Sequence, residues 1–250
     1  MAMSEFIGKI CRLLPYLLDG TILKAIFRWP RFSLTAYHLV ASISGSGIRP
    51  ATVIDVGANT GQFTIAAAYL FRNPKIYAFE PIPDCVEKLR ILASGSSNIE
   101  VQATAVGVRN DHVDFYVNAY DQASSLLKLD AVSKRHFGNF MERETIRVPV
   151  TTLDRFFKNK AMKKPVLLKI DVQGAEKDVV EGARKTLKMV DYVLLETSFS
   201  PMYIGQPSFV EMIETMKASG FTFIRPVDFL KSPKNGEILQ ADLLFKRAGI

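Results

Sequence analysis

Residues 53–64 read VIDVGANTGQFT: an aspartate inside an apolar run, then a turn carrying Gly57 and Gly61, then the start of a helical pattern. Strand, glycine turn and helix in that order form the ligand-binding corner of an open α/β sheet, where ligands sit beyond the carboxyl ends of the strands. Glycine lets the backbone turn sharply and brings amides close to a ligand, and a helix start favours a negative group. A dinucleotide fold would carry G-x-G-x-x-G. Counted from Gly57, the second and third glycine positions hold Asn59 and Gln62, so two of the three places fail.

The chain alternates on either side of this corner. Residues 51–56 (ATVIDV), 75–80 (KIYAFE) and 99–106 (IEVQATAV) read as strands, with helices at 61–71 and 84–93, which is a βαβαβ unit. HVDFYVN at 112–118 alternates like a half-exposed strand. Residues 119–145 form a polar, irregular insertion, longer than most loops inside a domain, where function or mobility is expected. Order restarts at RVPVTTLD. PVLLKID (165–171) and YVLLE (192–196) are strands, followed by helices at 175–189 and 207–219. FTFIRPV (221–227) and EILQADLLFKR (237–247) close the domain with only a loop between them, so the second should run antiparallel to the rest.

Residues 1–48 read as an N-terminal helical cap, two or three short amphipathic helices broken by Pro15, Gly20 and Pro30, with SGSGIRP at 44–50 as hinge into a main domain spanning 49–250. A homodimer surface or a peripheral membrane contact are the other uses of that segment. The chain has 250 residues, 48% of them hydrophobic, enough for one sizeable core. A net charge of +7 alone does not choose a partner, and no RNA-recognition signature, zinc-finger spacing or long basic block is present, so no nucleic-acid partner is expected. Cys11 and Cys85 form no disulfide framework, which fits a reducing, cytoplasmic setting. No apolar run reaches the roughly 18 residues of a membrane span, and Lys9, Arg12 and Asp19 interrupt any signal-peptide core.

Glu80 ends the strand after the turn. A carboxylate there can accept both hydroxyls of a ribose, at about 1.5–3 kcal/mol for each charge-assisted bond. Dinucleotide-binding proteins also place an acid there. With the phosphate fingerprint missing, it favours a nucleoside without a pyrophosphate.

The spacing Asp55-x-Gly57-x-Asn59-x-Gly61 resembles the first motif of the class I methyltransferases. Read whole, IDVGANTGQFT, YAFEPIPDCVEKL, ATAVG, ASSLL, VPVTTLD, KIDVQGAEKDVVEGA and VLLE follow the order and spacing of the FkbM family of methyltransferases, over about residues 53–196. The resemblance implies an α/β, Rossmann-like, mostly parallel seven-stranded sheet with one antiparallel strand. It also implies methyl transfer from S-adenosylmethionine, usually to a hydroxyl of a sugar, glycolipid or polyketide-like product. By position, Asp55, Gly57, Asn59 and Gly61 would hold the methionine end, Glu80 the ribose, and Ile82 and Ala105 the adenine region. One departure is plain: the family usually has a glutamate where this chain has Gln173, which removes a charge near the expected active site. N-methyl transfer, or a non-catalytic S-adenosylmethionine-binding protein on the same scaffold, are the rival readings, the second motivated by Gln173.

Methyl transfer to a neutral alcohol needs alignment and a proton acceptor, and a general base typically contributes 10² to 10⁴ in rate. Asp171 and Glu196 each end a strand at the same rim. They could act as base and orienting partner, or Asp171 could ligate a divalent metal. The blander roles are helix capping for Asp171 and dipole complementation for Glu176. Of the three histidines, His38 reads as packing or surface and His112 as surface. His136, in the insertion beside Lys134, Arg135 and Arg143, is the alternative base. Ser124 and Ser125 read as a turn, and the resemblance makes them part of a lid. The acceptor is expected to be a small molecule, glycan or glycolipid, and a lipid-tethered one would suit the amphipathic N-terminus.

Overall fold

A computed structural model describes residues 32–118, 124–127, 130, 142–232 and 234–249. In chain order the elements are α1 (Leu34–Gly45), β1 (Thr52–Val56), α2 (Gln62–Leu70), β2 (Lys75–Phe79), α3 (Pro83–Ala93), β3 (Ile99–Gln102), β4 (Ala105–Val106) and β5 (Asp111–Asn118). They continue with β6 (Glu142–Thr151), α4 (Leu153–Phe156), β7 (Val166–Ile170), α5 (Glu176–Glu181), β8 (Tyr192–Ser198), α6 (Phe209–Ala218), β9 (Phe221–Lys231) and β10 (Ile238–Arg247).

Seven strands form the main sheet in the order β3-β2-β1-β7-β8-β10-β9. β3, β2, β1, β7 and β8 pair in parallel, whereas β10 is antiparallel to both β8 and β9. β1 and β7 are buried along their whole length, as continuous apolar runs require when both faces of a parallel sheet are covered. On one face Tyr37, Leu39, Val40 and Ile43 of α1 share a buried cluster with Phe63, Ala66 and Ala67 of α2 and with Val53, Leu167 and Leu194 of the sheet. The other face packs Ile54, Leu168, Ile170 and Leu195 with Val179, Val180, Met212 and Met216 of α5 and α6. α1 is capped by Ser33 and α6 by a Ser208–Glu211 capping box. Residues 1–31 lie outside the described residues, and so does most of the 119–145 insertion.

Two expectations are corrected. The strand expected over 99–106 divides: Thr104 turns the chain by donating its amide to Gln102 O and its hydroxyl to Pro149 O, so β4 leaves the main sheet. β4 pairs in parallel with β6 in a three-stranded sheet, β4-β6-β5, that carries the insertion. The helix expected over 175–189 stops at Glu181, because Gly182 lies against Gly107 so closely that a Cβ would come 2.1 Å from its carbonyl oxygen. Asp154 then accepts the Lys185 and Thr186 amides and the Thr186 hydroxyl, starting a separate 3₁₀ turn at Thr186–Met189.

Candidate functional site

β1 delivers the chain to Gly57 at φ +82°, where a Cβ would sit 1.8 Å from the carbonyl oxygen of Asp171. The loops after β1 and β7 therefore touch backbone to backbone, and only glycine fits. Gly57 and Ala58 donate their amides to Phe79 O. Asn59 has φ +49°, donates its amide to Glu80 Oε2 at 2.8 Å, and accepts the Thr60 amide on Oδ1 at 2.7 Å. At Gly61 a Cβ would meet Leu89 Cδ1 at 2.4 Å, so this glycine lets α3 close on the turn.

Glu80 is 4% exposed, and its Oε1 accepts the Ile82 amide at 2.9 Å. Burial pushes its carboxyl up to about 7, against the pull of the two amides. Each oxygen keeps a second lone pair, so two acceptors are left for a vicinal diol. Ile82 and Ala105 share a buried cluster with Cys85, Phe115, Val117, Val148 and Val150. That apolar wall lies beside a buried carboxylate with lone pairs to spare, and the two together could hold the nucleoside half of S-adenosylmethionine.

Asp55 is wholly buried and stands behind the turn rather than at its surface. Its Oδ2 accepts the Thr64 hydroxyl at 2.6 Å, while Oδ1 makes no hydrogen bond and lies 3.5 Å from Lys169 Nζ. Lys169 sits opposite Asp55 in the β1–β7 register and also reaches Asp171 Oδ2 at 3.1 Å. Burial alone would lower its pKa, but Asp171 and Asp55 outweigh that and hold it raised. Lys169 was not among the expected site residues. Its signal was a single lysine inside VLLKI, the most buried kind of strand.

Asp171 and Glu196 are brought to one rim, joined by Gln173. Gln173, at φ +56°, donates Nε2 to Asp171 Oδ1 and to Glu196 Oε2, each at 2.7 Å, and accepts from Tyr203 Oη at 2.9 Å. Glu196 Oε2 also accepts from Gln240 Nε2 at 3.1 Å, and Glu196 faces Asp242 across the β8–β10 pair. Desolvation, then Asp171 and Asp242, push the Glu196 carboxyl well up, and Asp242 rises to about 7, mainly by desolvation and then Asp171. The side chain of Asp171 remains 30% exposed. It does not cap α5, whose N-cap position, Ala175, makes no side-chain bond. Glu176 lies in the first turn of α5 and is buried there: Oε1 accepts the Val172 and Gly174 amides, and burial raises its carboxyl to about 7.

Among the described residues no group of three or more His, Cys, Asp or Glu side chains could hold a metal. The oxygens of Asp171 face a lysine ammonium and an amide N–H, a setting that does not fit a divalent ion. Of the insertion, Ser125 pairs with Tyr116, donates its hydroxyl to Gln173 O at 2.5 Å and accepts the Leu127 amide. His136, Lys134 and Arg135 lie outside the described residues. His112 is exposed on β5, and His38 packs edge-on against Tyr37 with its pKa lowered by burial.

The chain is similar to known proteins in sequence and in backbone. The chain is 27% identical over 186 residues to a 2-O-methyltransferase, NoeI, of Sinorhizobium fredii, covering 72% of this chain and 75% of that one. It is 27% identical over 157 residues to Methyltransferase 1 of Beauveria bassiana, covering 58% and 63%. The magnesium protoporphyrin IX methyltransferase of Synechocystis, solved with S-adenosylmethionine bound, superposes with a TM-score of 0.48 at 12% identity over 86% of this chain and 78% of that one. The fibrillarin pre-rRNA processing protein of Methanococcus jannaschii does so with 0.47 at 15% identity over 81% and 68%. The model of the methyltransferase FkbM domain matches residues 55–223, from the buried aspartate of β1 into β9. With that match over more than half its length, on a seven-stranded sheet whose only reversed strand is β10, the chain belongs to the FkbM methyltransferase family.

Proposed function

We propose that this methyltransferase moves the methyl group of S-adenosylmethionine to a hydroxyl of a sugar, presented as a glycan, a glycolipid or a glycosylated metabolite. The observation that carries the reading is the position of Asp171. It is a partly exposed carboxylate whose own carbonyl forms one wall of the glycine turn, so a proton acceptor stands where cofactor turn and acceptor side meet. A likeness to a protein named as a 2-O-methyltransferase supports the choice of oxygen as acceptor.

In this reading Glu80 takes the ribose diol and Ile82 and Ala105 flank the adenine. The turn 57–61, whose amides are all bonded within the protein, receives the ammonium of the methionine end on its backbone carbonyls, while Asp55 acts from behind through Thr64 and Lys169. Bound there, S-adenosylmethionine would supply a methyl group on a sulfonium, whose carbon–sulfur electron pair would stay with sulfur as a neutral thioether when the acceptor oxygen takes the methyl. The hydroxyl proton passes to Asp171. The donor set argues for a base without a metal, and Lys169 stays protonated beside that base.

The test is transfer of labelled methyl from S-adenosylmethionine to a panel of free and lipid-linked oligosaccharides, with wild type and Asp171→Asn. A loss of roughly 10² to 10⁴ in kcat is expected for the variant, with cofactor affinity retained. Full turnover by Asp171→Asn would exclude it as the base and move the role to His136. Label found on amines and never on hydroxyls would replace the oxygen acceptor with nitrogen.

A further inference from the structure

We propose that Gln173 is the positioning residue of this site, its side-chain amide locking Asp171 and Glu196 into one unit that aims the base. The inference rests on the methyl-transfer reading above. Both N–H groups of the amide are used, one on each carboxylate, and the amide oxygen is used by Tyr203. Two carboxylates on one side and a phenol donor on the other permit only one orientation of the amide. Tyr203 is itself 2% exposed and packs over Gly174, whose Cβ position lies 3.0 Å from Tyr203 Cβ. The Gln173 backbone is fixed as well, because its carbonyl accepts the Ser125 hydroxyl from the insertion.

A rigid neutral donor is what this rim requires. The groups facing Glu196 are Asp171 from the β7 loop, Asp242 from β10, Glu176 from the start of α5, and Lys169 from β7, the one cation. Tyr203 and Gln240 complete the surroundings. A charged side chain at 173 would be a further acid beside two it must bind. The amide donates to both at every pH and titrates at none. Its substitution for an acid therefore frees the base from an additional ionisation instead of marking lost chemistry.

Gln173→Leu keeps the approximate volume and deletes the donors, and Gln173→Glu keeps the shape and restores an acid. In Gln173→Leu, kcat should fall about 10- to 100-fold, the loss expected when a reacting group is misplaced by about an ångström, while KM for S-adenosylmethionine changes less than about threefold. In Gln173→Glu, a protonated carboxyl can donate to only one neighbour. Its activity should be greatest at low pH and decline as pH rises, a limb that wild type lacks. Independently of any acceptor, carboxyl carbon NMR of the full chain should show the Glu196 titration moving further up in Gln173→Leu, with the amide protons of Gln173 slow to exchange in wild type. An unmoved Glu196 titration, fast-exchanging amide protons, or a Gln173→Glu enzyme with the wild-type pH profile would overturn the proposal. If no hydroxyl is methylated while the NMR results hold, the reaction assigned above is wrong and the bridging role stands. If Gln173→Leu does not fold, the amide exchange in wild type and the Gln173→Glu titration decide it.

Discussion

Glu80→Gln separates the proposed cofactor-binding role of this acid from its role in holding the turn. The two carboxylate oxygens take one backbone N–H each, from Ile82 at 2.9 Å and Asn59 at 2.8 Å. A glutamine amide has one oxygen, so whichever way it turns, an NH₂ faces one of these amides. An unpaired buried donor costs about 1–3 kcal/mol, which sets the expected loss of stability. The substitution also leaves one acceptor where the ribose diol would use two, and removes the charge that strengthens both. Loss of one charge-assisted bond, about 1.5–3 kcal/mol, corresponds to a rise in Kd for S-adenosylmethionine of roughly 10- to 150-fold.

The same side chain predicts a pH dependence. Burial raises the Glu80 carboxyl to about 7, and a diol that donates to it binds the ionised form. Wild-type affinity should therefore be about tenfold weaker near pH 6 than near pH 8 by linkage, and Glu80→Gln should lose that slope. Stability runs the other way. An acid whose folded pKa lies above its unfolded value contributes most below the unfolded value and loses that contribution as pH rises through the folded one. Glu80 and Glu176 both shift from 4.5 to about 7, so wild type should be more stable near pH 5 than near pH 8. Glu80→Gln should reduce that difference. Calorimetric titration with S-adenosylmethionine and thermal melts across this range measure both. Affinity within twofold of wild type and an unchanged pH slope would refute the ribose assignment.

Lys169→Met should cost about 3–5 kcal/mol in urea unfolding, because it leaves the carboxylate of Asp55 buried with only the Thr64 hydroxyl for a partner. Adding Asp55→Asn should recover part of this, and an unchanged midpoint in the single variant would contradict the ion pair. Gly57→Ala should destabilise the chain and displace the Asp171 loop, since the added methyl would lie 1.8 Å from that carbonyl at φ +82°. A normal melt with undiminished kcat would show that the loops can separate without consequence.

Much of the main sheet could be read from the chain because β1, β2, β7 and β8 are mostly apolar runs bounded by turns, the pattern that burial on both faces demands. The reversal of β10 was legible for a topological reason: too few residues separate 227 from 237 for a crossover helix. β4 was not legible. It has two residues, Ala105 and Val106, paired with Val150 and Thr151, and no local periodicity records a partner so distant in the chain. The break in the expected 175–189 helix was hidden in the same way, since the contact of Gly182 with the Gly107 carbonyl exists only after folding. Short elements and breaks caused by tertiary contact leave no mark at helix or strand spacing.

Within the site, residues at strand ends were legible and the connections between them were not. Glu80 and Asp171 could be placed from their positions after apolar runs, and both lie at the rim as the strands deliver them. The glycines of the turn were expected to face a ligand, and the structure gives them a packing use: Gly57 admits the Asp171 carbonyl and Gly61 admits Leu89, so they bring the walls of the turn together. Once together, Asp55, Glu80, Asp171, Glu196 and Asp242 lie within electrostatic reach of Lys169, the one buried cation among the described residues. Burial first, and then the neighbouring acids, raise the Glu80, Glu196 and Asp242 carboxyls above the usual carboxylate range. In the proposed reading, a ligand carrying a sulfonium and an ammonium would suit this acid-rich rim better than a dinucleotide, whose pyrophosphate would add negative charge where positive charge is already short.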